Sequence, residues 1–562
     1  MTLRGNRKNK IKYTEVVPSM EKWPIVQLSK NRKAFVELVS NATIQNIHEN
    51  EKKRSLREDL EMTVYREKLR VRGNPWKVDP EDDRPFWKKV QHRLVDYQSL
   101  EKEEAVKAEE KLLKEIVDRY SEEIAGNFKK SSYRFAKKFV AFGFARLLNA
   151  ARVKGVLALF SKQLDLDDKV NIIGYPEHIR KLAKKGTVVM VPTHFSNIDS
   201  ILVGWVIQFL GLPPFIYGAG LNLFNIKIIA YFINSLGAYK VDRRKKNPIY
   251  LEALKTYSTE ALRKGCHSLF FPGGTRSRSG KIEKALKLGL LSTTIEAQRL
   301  NYQHEGNKGG KIFIVPVVLN YHFTLEAPSL INDYLKIKGQ ERYYVENDEY
   351  SSSYKIATFL IKFFTKGSNI SVTLGKGMDV LGNYVDDEGN SYNSQGNLID
   401  PMDYFITNGN ITVDKQREQE YVRILGKRII EEYHIQNEVF ASHLVAFSAF
   451  RMLMKRNPKL DLYSLLRLPE EDLILDYEAF KEVFKKLRKK LVKLEKKGKV
   501  RLAEHLTRKA DDAIKHGIKN VGMYHARRPM VINKEKEIRI LDMNTLYYYH
   551  NRMEGYALEK YI

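Results

Sequence analysis

Apolar positions along this 562-residue chain follow three successive patterns. Up to about residue 165 they recur at helical spacing within heavily charged stretches, and RGNPWKVDPEDDRPFW interrupts them with Pro and Gly that favour loop. From about 166 to 375 short β-rich runs take over: VNII, TVVMVP, PFIY, AYKV, SLFFP, IFIVPVVLNY and NISVTL. Helical stretches such as IYLEALKTYSTEALRKG and IEKALKLGLLSTTIEAQRL separate several of them. That alternation predicts an α/β fold, a mixed, largely parallel sheet covered by helices. Residues 376–411 are rich in Gly, Asn and Asp and predict hairpins or an ordered loop. Beyond 411 helical spacing returns in DKQREQEYVRILGKRIIEEYH and FKEVFKKLRKKLVKLEKK, whose charges read as solvated helix faces. The expected division is an N-terminal helical, basic region (1–165), an α/β domain (166–375), a hairpin or loop segment (376–411) and a C-terminal helical domain (412–562).

Four stretches bear on membranes. ILVGWVIQFLGLPPFIYGAG is broken by Gln208 and Pro213-Pro214, and predicts a helix of about 15 residues, a turn and a strand rather than a span of about 18 or more. In SSYRFAKKFVAFGFARLLNAARVKGVLALF, Phe135, Phe139 and Phe142 share a helical face beside Arg134, Lys137 and Lys138. Such a helix packs on a neighbouring domain or lies on a membrane surface, and YKIATFLIKFFTK has a similar pattern. The N-terminal MTLRGNRKNKIKYTEVVP has the charge of a signal peptide's first segment with no apolar segment behind it.

Composition adds a strong charge bias. Lys and Arg number 97 against 68 Asp and Glu, a net +29, so the surface seeks anions: nucleic acid, an anionic membrane or an acidic carrier or substrate. The basic residues are dispersed and no nucleic-acid motif is present, so nucleic acid is not expected as a partner. The single Cys266 excludes an intrachain disulfide and a Cys-based zinc site, and reads as a small buried thiol before SLFF.

Candidate chemistry begins at PTHFSNIDSILVGW, after the TVVMVP run. Ser196 and Asp199 have capping-box spacing, so a helix start explains them by itself, Ser196 accepting from a first-turn amide and Asp199 reaching back. His194 with Asp199 also makes a general base whose second nitrogen is held by a carboxylate. Three further segments end or follow strands: GAYKVDRR (237–244), FFPGGTRSRSGK (270–281) and IVPVVLNY (314–321). Open α/β sheets gather working residues at the carboxyl ends of strands, so His194, Arg243, Arg276 and Arg278 are expected to converge there. Gly273 and Gly274 allow close backbone approach with amides turned toward an anion. Arg276 and Arg278 alternate and can face one phosphate, with Ser277 an adjustable donor between them. No Ser or Thr follows Lys281, so this is not a Walker loop. Together the parts suit a phosphate-anchored alcohol attacking a thioester carbonyl, with no protein nucleophile.

HFSNID, GAYKVDR, FPGGTRSRSG and IVPVVLNY, in this order, resemble the four motif blocks of the glycerolipid acyltransferases, the glycerol-3-phosphate and lysophosphatidate acyltransferases. The resemblance implies a catalytic α/β core with His194 as general base and Asp199 as its partner. It implies that Arg243 and Arg276 bind the acceptor phosphate with Arg278 assisting, that Gly273 and Gly274 lie by the acyl carbonyl, and that Pro316 shapes the pocket wall. No metal or other cofactor is implied. The donor would be an acyl carrier protein or coenzyme A thioester, the acceptor glycerol 3-phosphate or lysophosphatidate. The third block usually reads F-P-E-G; here Gly273 replaces the glutamate, as in the soluble plastid branch. Helical flanks on both sides resemble the long bacterial glycerol-3-phosphate enzymes, whereas the V-D-R ending is closer to the lysophosphatidate branch. The charge then suggests peripheral attachment at the cytoplasmic face of the cell membrane. The rival class is a non-catalytic basic protein binding anionic membrane or RNA.

Overall fold

The computed structural model describes residues 13–50, 55–135, 170–221, 236–339 and 370–562. Most of SSYRFAKKFVAFGFARLLNAARVKGVLALF and all of YKIATFLIKFFTK lie outside them.

Five helices open the described chain: α1 (Pro24–Lys30), α2 (Arg32–Asn50), α3 (Leu56–Gly73), α4 (Asp83–Asp96) and α5 (Lys102–Ile124). The central sheet follows, with β1 (Val170–Gly174), β2 (Gly186–Pro192), β3 (Ile216–Gly220), β4 (Ala238–Val241), β5 (Ser268–Leu269), β6 (Lys311–Tyr321) and β7 (Ile370–Leu374). Its order is β1-β7-β6-β2-β5-β3-β4. Every pairing is parallel except β6 with β7. The sheet is therefore mixed and largely parallel, and the fold is α/β with helical regions on either side.

Strand alternation builds the two layers. Val188 and Met190 of β2, with Phe313, Val315 and Val317 of β6, face α6 (Pro176–Lys185) and α7 (Asp199–Phe209). Val189, Val191, Ile312 and Ile314 face the other way, onto α8 (Pro248–Arg263), α9 (Leu288–Glu305) and α11 (Lys415–Gln436). Between α9 and α11 lies α10 (Ala327–Lys338). Pro316 stands mid-strand opposite Val191, where its missing N–H removes one ladder bond worth about 0.5–1.5 kcal/mol. Each fully buried aliphatic neighbour contributes about 1.5–3 kcal/mol, so the strand holds. The gap falls where β6 changes partners: Pro316 O accepts from Gly375 N, while Ile314 pairs with Met378.

Caps show why the helices start where they do. Asn247 accepts from Tyr250 N at the head of α8, with Pro248 at its first position. The segment after Pro192 forms an 11-residue helix, shorter than expected. Gly211, at φ +66, turns the chain out of α7, and a side chain there would strike Thr14 O. Of SLFFP only Ser268–Leu269 is strand. Residues 282–287, expected to be helical with α9, instead loop past the end of β2.

The glycine-rich segment forms short hairpins, a three-stranded sheet and a two-stranded one. Helices α12 (Ala441–Arg456), α13 (Leu462–Leu466), α14 (Tyr477–Lys496), α15 (Ala510–Asn520) and α16 (Met543–His550) follow. Phe480, Phe484, Leu487 and Leu491 give α14 its buried stripe beneath the lysines. Two small sheets absent from the pattern reading accompany them, one pairing Glu438–Val439 with Arg501–Leu502, the other joining 474–476, 530–532 and 537–540.

Candidate active site

Because β2, β3, β4, β5 and β6 run parallel, Pro192, Gly220, Val241, Leu269 and Tyr321 end on one edge of the sheet. His194 leaves β2 there. Thr193 locks the exit: its amide donates to Val317 O at 2.9 Å and its hydroxyl accepts from Leu319 N at 3.1 Å. His194 Nδ1 meets Asp199 Oδ2 at 2.9 Å. The same oxygen accepts from Phe195 N at 2.6 Å and Ser196 N at 2.9 Å, and Tyr321 Oη donates to Oδ1 at 2.5 Å. Asp199 is fully buried, and these donors replace the water it has lost. Burial and the facing carboxylate push the Tyr321 phenol well above its usual range, which keeps it a donor. With its Nδ1 proton committed to Asp199, neutral His194 carries its lone pair on Nε2. That atom has no protein partner among the described residues, the side chain is 19% exposed, and its ring stacks on Phe271 at 4.2 Å.

The capping expectation is half met. Asp199 does reach back to Ser196 N, but the Ser196 hydroxyl donates to Glu326 Oε2 at 2.9 Å and lies 3.5 Å from Ile198 N. A carboxylate distant in sequence drew it away from the helix.

The Pro272–Lys287 loop is bound to His194 by its main chain. Ser277 N donates to His194 O at 2.7 Å, and Glu283 Oε1 accepts from His194 N at 3.2 Å. Gly274, at φ +78, needs the freedom of glycine. Its amide closes a turn onto Phe271 O at 3.0 Å, so that N–H does not point at an anion as the sequence suggested. Gly273 N donates to no acceptor among the described residues. The Ser277 hydroxyl is likewise committed, donating to Lys281 O at 2.8 Å, which corrects its reading as an adjustable donor.

The arginines divide. Arg276 Nη1 lies 3.4 Å from Glu326 Oε1, and Glu326 also accepts from Asn197 N, so Arg276 is tied to the histidine turn. Arg243 is exposed just past β4 and Arg278 half-buried in the loop; neither makes a hydrogen bond or ion pair among the described residues. Adjacent Arg244 differs, held by Asp242 and Asp79 over the Trp76 ring. The structure joins His194, Asp199, Ser277 and Arg276, sets Gly273 beside Glu283, and gives Arg243 and Arg278 no ion-pair partner among the described residues.

Several residues escaped the sequence reading. Tyr321, at the end of a quoted block, had a positional signal; Glu283, Glu326 and Arg552 had none. Arg552 is buried, donating to Leu319 O at 2.8 Å and Asn320 Oδ1 at 2.6 Å with its guanidinium 4.0 Å over Phe195. Burial lowers it to about 10, still cationic at neutral pH. Asn551 Nδ2 donates to Ser279 O, and Glu554 pairs with Lys281 at 2.6 Å, so the chain beyond α16 braces the arginine loop.

Elsewhere, His322, His505 and His516 bring ring nitrogens within 4.8 Å of one another. His505 Nε2 accepts from Ala441 N at 2.8 Å, so the neutral ring carries its proton on Nδ1 and offers no lone pair to a cation. Burial lowers all three, and they pack as neutral rings. The Cys266 thiol is buried and pushed up to about 12, as expected of a structural residue.

Residues 175–320, which hold the histidine pair and the arginine loop, match the protein-family model described as Acyltransferase. A glycerol-3-phosphate acyltransferase of Shewanella putrefaciens (strain CN-32 / ATCC BAA-453) is 28% identical over 241 residues, 42% of this chain and 26% of that protein. The protein of the same name from Haemophilus influenzae (strain PittEE) is 36% identical over 151 residues, 26% of this chain and 18% of that one. That from Histophilus somni (strain 129Pt) is 34% identical over 153 residues, 27% and 18% of the respective chains. The matches thus span about a quarter or less of these relatives' length. Sheet, site and matches define an acyltransferase domain at the centre of the molecule. Residues 175–320 thus carry an acyltransferase domain similar in sequence to part of those glycerol-3-phosphate acyltransferases.

Proposed function

We propose that the protein moves a fatty acyl group from an acyl thioester to the sn-1 hydroxyl of glycerol 3-phosphate. The supporting observation is the orientation of His194: Nδ1 held by a buried carboxylate, Nε2 open. Nε2 takes the proton of the acceptor hydroxyl as its oxygen attacks the thioester carbonyl carbon. The oxyanion of the tetrahedral intermediate is stabilised by the Gly273 amide, which has no acceptor among the described residues. As the C–S bond breaks, the imidazolium returns the proton to the departing thiolate. Atoms and charge balance without a protein nucleophile.

Arg243 and Arg278, having no internal partner among the described residues, hold the acceptor phosphate, with Arg276 assisting from its contact with Glu326. Pro316, opposite Val191, shapes the floor beneath His194. The donor is acyl carrier protein or coenzyme A. The net +29 charge favours such acidic donors and an anionic membrane surface. Among the described residues no helix is long and apolar enough to cross a membrane.

The test is a transfer assay with labelled acyl-coenzyme A and acyl-carrier protein, offering glycerol 3-phosphate and lysophosphatidate side by side. Label entering lysophosphatidate from glycerol 3-phosphate supports the reading. Label entering only phosphatidate moves the protein to the other branch, and label in neither product contradicts acyl transfer.

A further inference from the structure

Lys240 stands on β4, the last strand at one edge of the central sheet. Lysines on such edges ordinarily reach water and discourage pairing with another strand. Lys240 is instead half-buried, in an open cavity of about 430 Å³ where the edge meets the N-terminal helices. Arg32 of α2, Glu122 and Glu123 of α5, Ala125 and Asn127 line it with Lys240. Strand alternation sets the direction: Tyr239 turns into the core against Tyr257, and Lys240 takes the opposite face with Ala238.

Both carboxylates of the cavity are already engaged. Glu122 Oε1 accepts from Arg32 Nη1 at 2.7 Å, and Glu123 pairs with Lys245 and, at 3.1 Å, with Arg119. Arg32 is held in place, its Nε donating to Gly126 O at 3.1 Å. The Lys240 amine makes no hydrogen bond or ion pair among the described residues. Nearby Lys245 differs: it is more deeply buried, yet it has Glu123 as counter-ion. A partly desolvated amine beside a guanidinium, without a counter-ion of its own, favours the neutral, nucleophilic form. Burial pulls Lys240 below its ordinary value, opposed by Glu123 and Glu122 and helped by Arg32. Lys181 and Lys481, paired with Asp387 and Asp511, are raised instead.

We propose that Lys240 is a modification site: its unpaired amine, in the cavity beside Arg32, takes a short acyl group from an acyl thioester. The neutral amine attacks the thioester carbonyl carbon, the N–C bond forms, and the C–S bond breaks with its electron pair going to sulfur. The proton released by nitrogen ends on the thiolate, so an amide and a free thiol result. A lining of Arg32, Glu122, Glu123 and Asn127 has room for an acetyl-sized group and gives a long chain no apolar shelter. The step uses neither His194 nor the acceptor, so it stands apart from the transfer reading above.

The experiment incubates the full-length protein with acetyl coenzyme A and follows each lysine by peptide mass spectrometry, for the wild type, Arg32→Gln, Lys240→Arg and His194→Ala. The internal reference is Lys184, an exposed lysine with no partner among the described residues. At about pH 7.5 Lys240 should be acetylated at least about fivefold faster than Lys184. Its rate should also level off at a lower pH, a readout that needs no variant. Arg32→Gln removes the neighbouring cation and, in protein shown by its melt to be folded, should slow Lys240 at least about threefold. Lys240→Arg should abolish the fast phase, and His194→Ala should keep it at the wild-type rate. A Lys240 rate no greater than that of Lys184, or one that rises with pH in parallel with it, overturns the proposal. Loss of the modification in His194→Ala overturns direct attack by the amine, and faster reaction with palmitoyl than with acetyl coenzyme A overturns the short-chain assignment.

Discussion

Tyr321 donates its hydroxyl to Asp199 across the gap between the end of β6 and the start of α7, at 2.5 Å. That bond fixes the carboxylate that orients His194 and joins the fourth motif block to the first. Tyr321→Phe leaves one buried carboxylate oxygen without its donor, a cost of about 1–3 kcal/mol. Kinetics should show kcat reduced by about 10- to 100-fold as the imidazole loses its alignment. Donor KM should stay unchanged, and an unaltered kcat would show that the bond has no part in orientation.

Asp199→Asn probes the same carboxylate with volume preserved. The amide oxygen in the place of Oδ2 can still accept from Phe195 N, Ser196 N and His194 Nδ1, but the negative charge that stabilises the imidazolium is gone and the amide NH2 faces the Tyr321 hydroxyl. Loss of kcat by roughly 10³- to 10⁴-fold is expected, with a smaller change in melting temperature. A drop under tenfold would remove Asp199 from the account.

The arginines separate binding from folding. Arg243 and Arg278 lack internal partners among the described residues, so alanine at either should leave the melting temperature unchanged. A charged hydrogen bond to phosphate is worth about 1.5–3 kcal/mol, so acceptor KM should rise by about 10- to 150-fold. Arg244→Ala should do the opposite. It strands the buried Asp242 carboxylate, while Asp79 keeps Arg70, and costs about 3–5 kcal/mol of stability, visible in denaturant melts.

These contrasts also mark how far the sequence could be read. The β2 and β6 runs were legible because central strands buried on both faces show continuous apolar stretches. His194 and Asp199 were legible because a strand end and a helix start lie a few residues apart. Ser196 was misread as a cap because its true partner, Glu326, belongs to the head of a helix far along the chain. Glu283 hid inside an apparently helical stretch whose first residues skirt the site. Arg552 carried no local signal, since burial of a lone arginine depends on the carbonyls that fold around it. The two- and three-residue C-terminal strands are too short to show a period.

Buried histidines set the acid response. His443 donates from Nε2 to Tyr321 O at 3.0 Å and accepts at Nδ1 from Phe440 N, and burial lowers it from 6.5 to about 3. Its folded pKa is depressed, so the unfolded chain binds the proton first. The stability it contributes is complete above 6.5 and is lost as pH falls toward 3, by about 1.4 kcal/mol per unit. Buried carboxyls such as Glu283, Glu326 and Glu438 are raised and act with the opposite sign, so the comparison is with His443→Gln. Between pH 7 and 5 the difference in unfolding free energy between wild type and variant should change with pH below 6.5. Parallel curves would contradict a neutral buried His443.

Glu326, only 1% exposed, binds the Ser196 hydroxyl, Asn197 N and Arg276 together. Glu326→Ala leaves the buried Ser196 hydroxyl without its acceptor and should lower stability by about 1–3 kcal/mol, while water can replace the bond to exposed Asn197. Acceptor KM should rise with it as Arg276 loses its anchor. Wild-type stability in urea would contradict that network.

The most direct measurement is acyl transfer by His194→Ala at saturating donor and glycerol 3-phosphate, beside a melt showing that the variant is folded. With the general base gone, kcat should fall by about 10²- to 10⁴-fold while the melting temperature stays close to wild type. A folded His194→Ala protein turning over within twofold of the wild type would contradict the account.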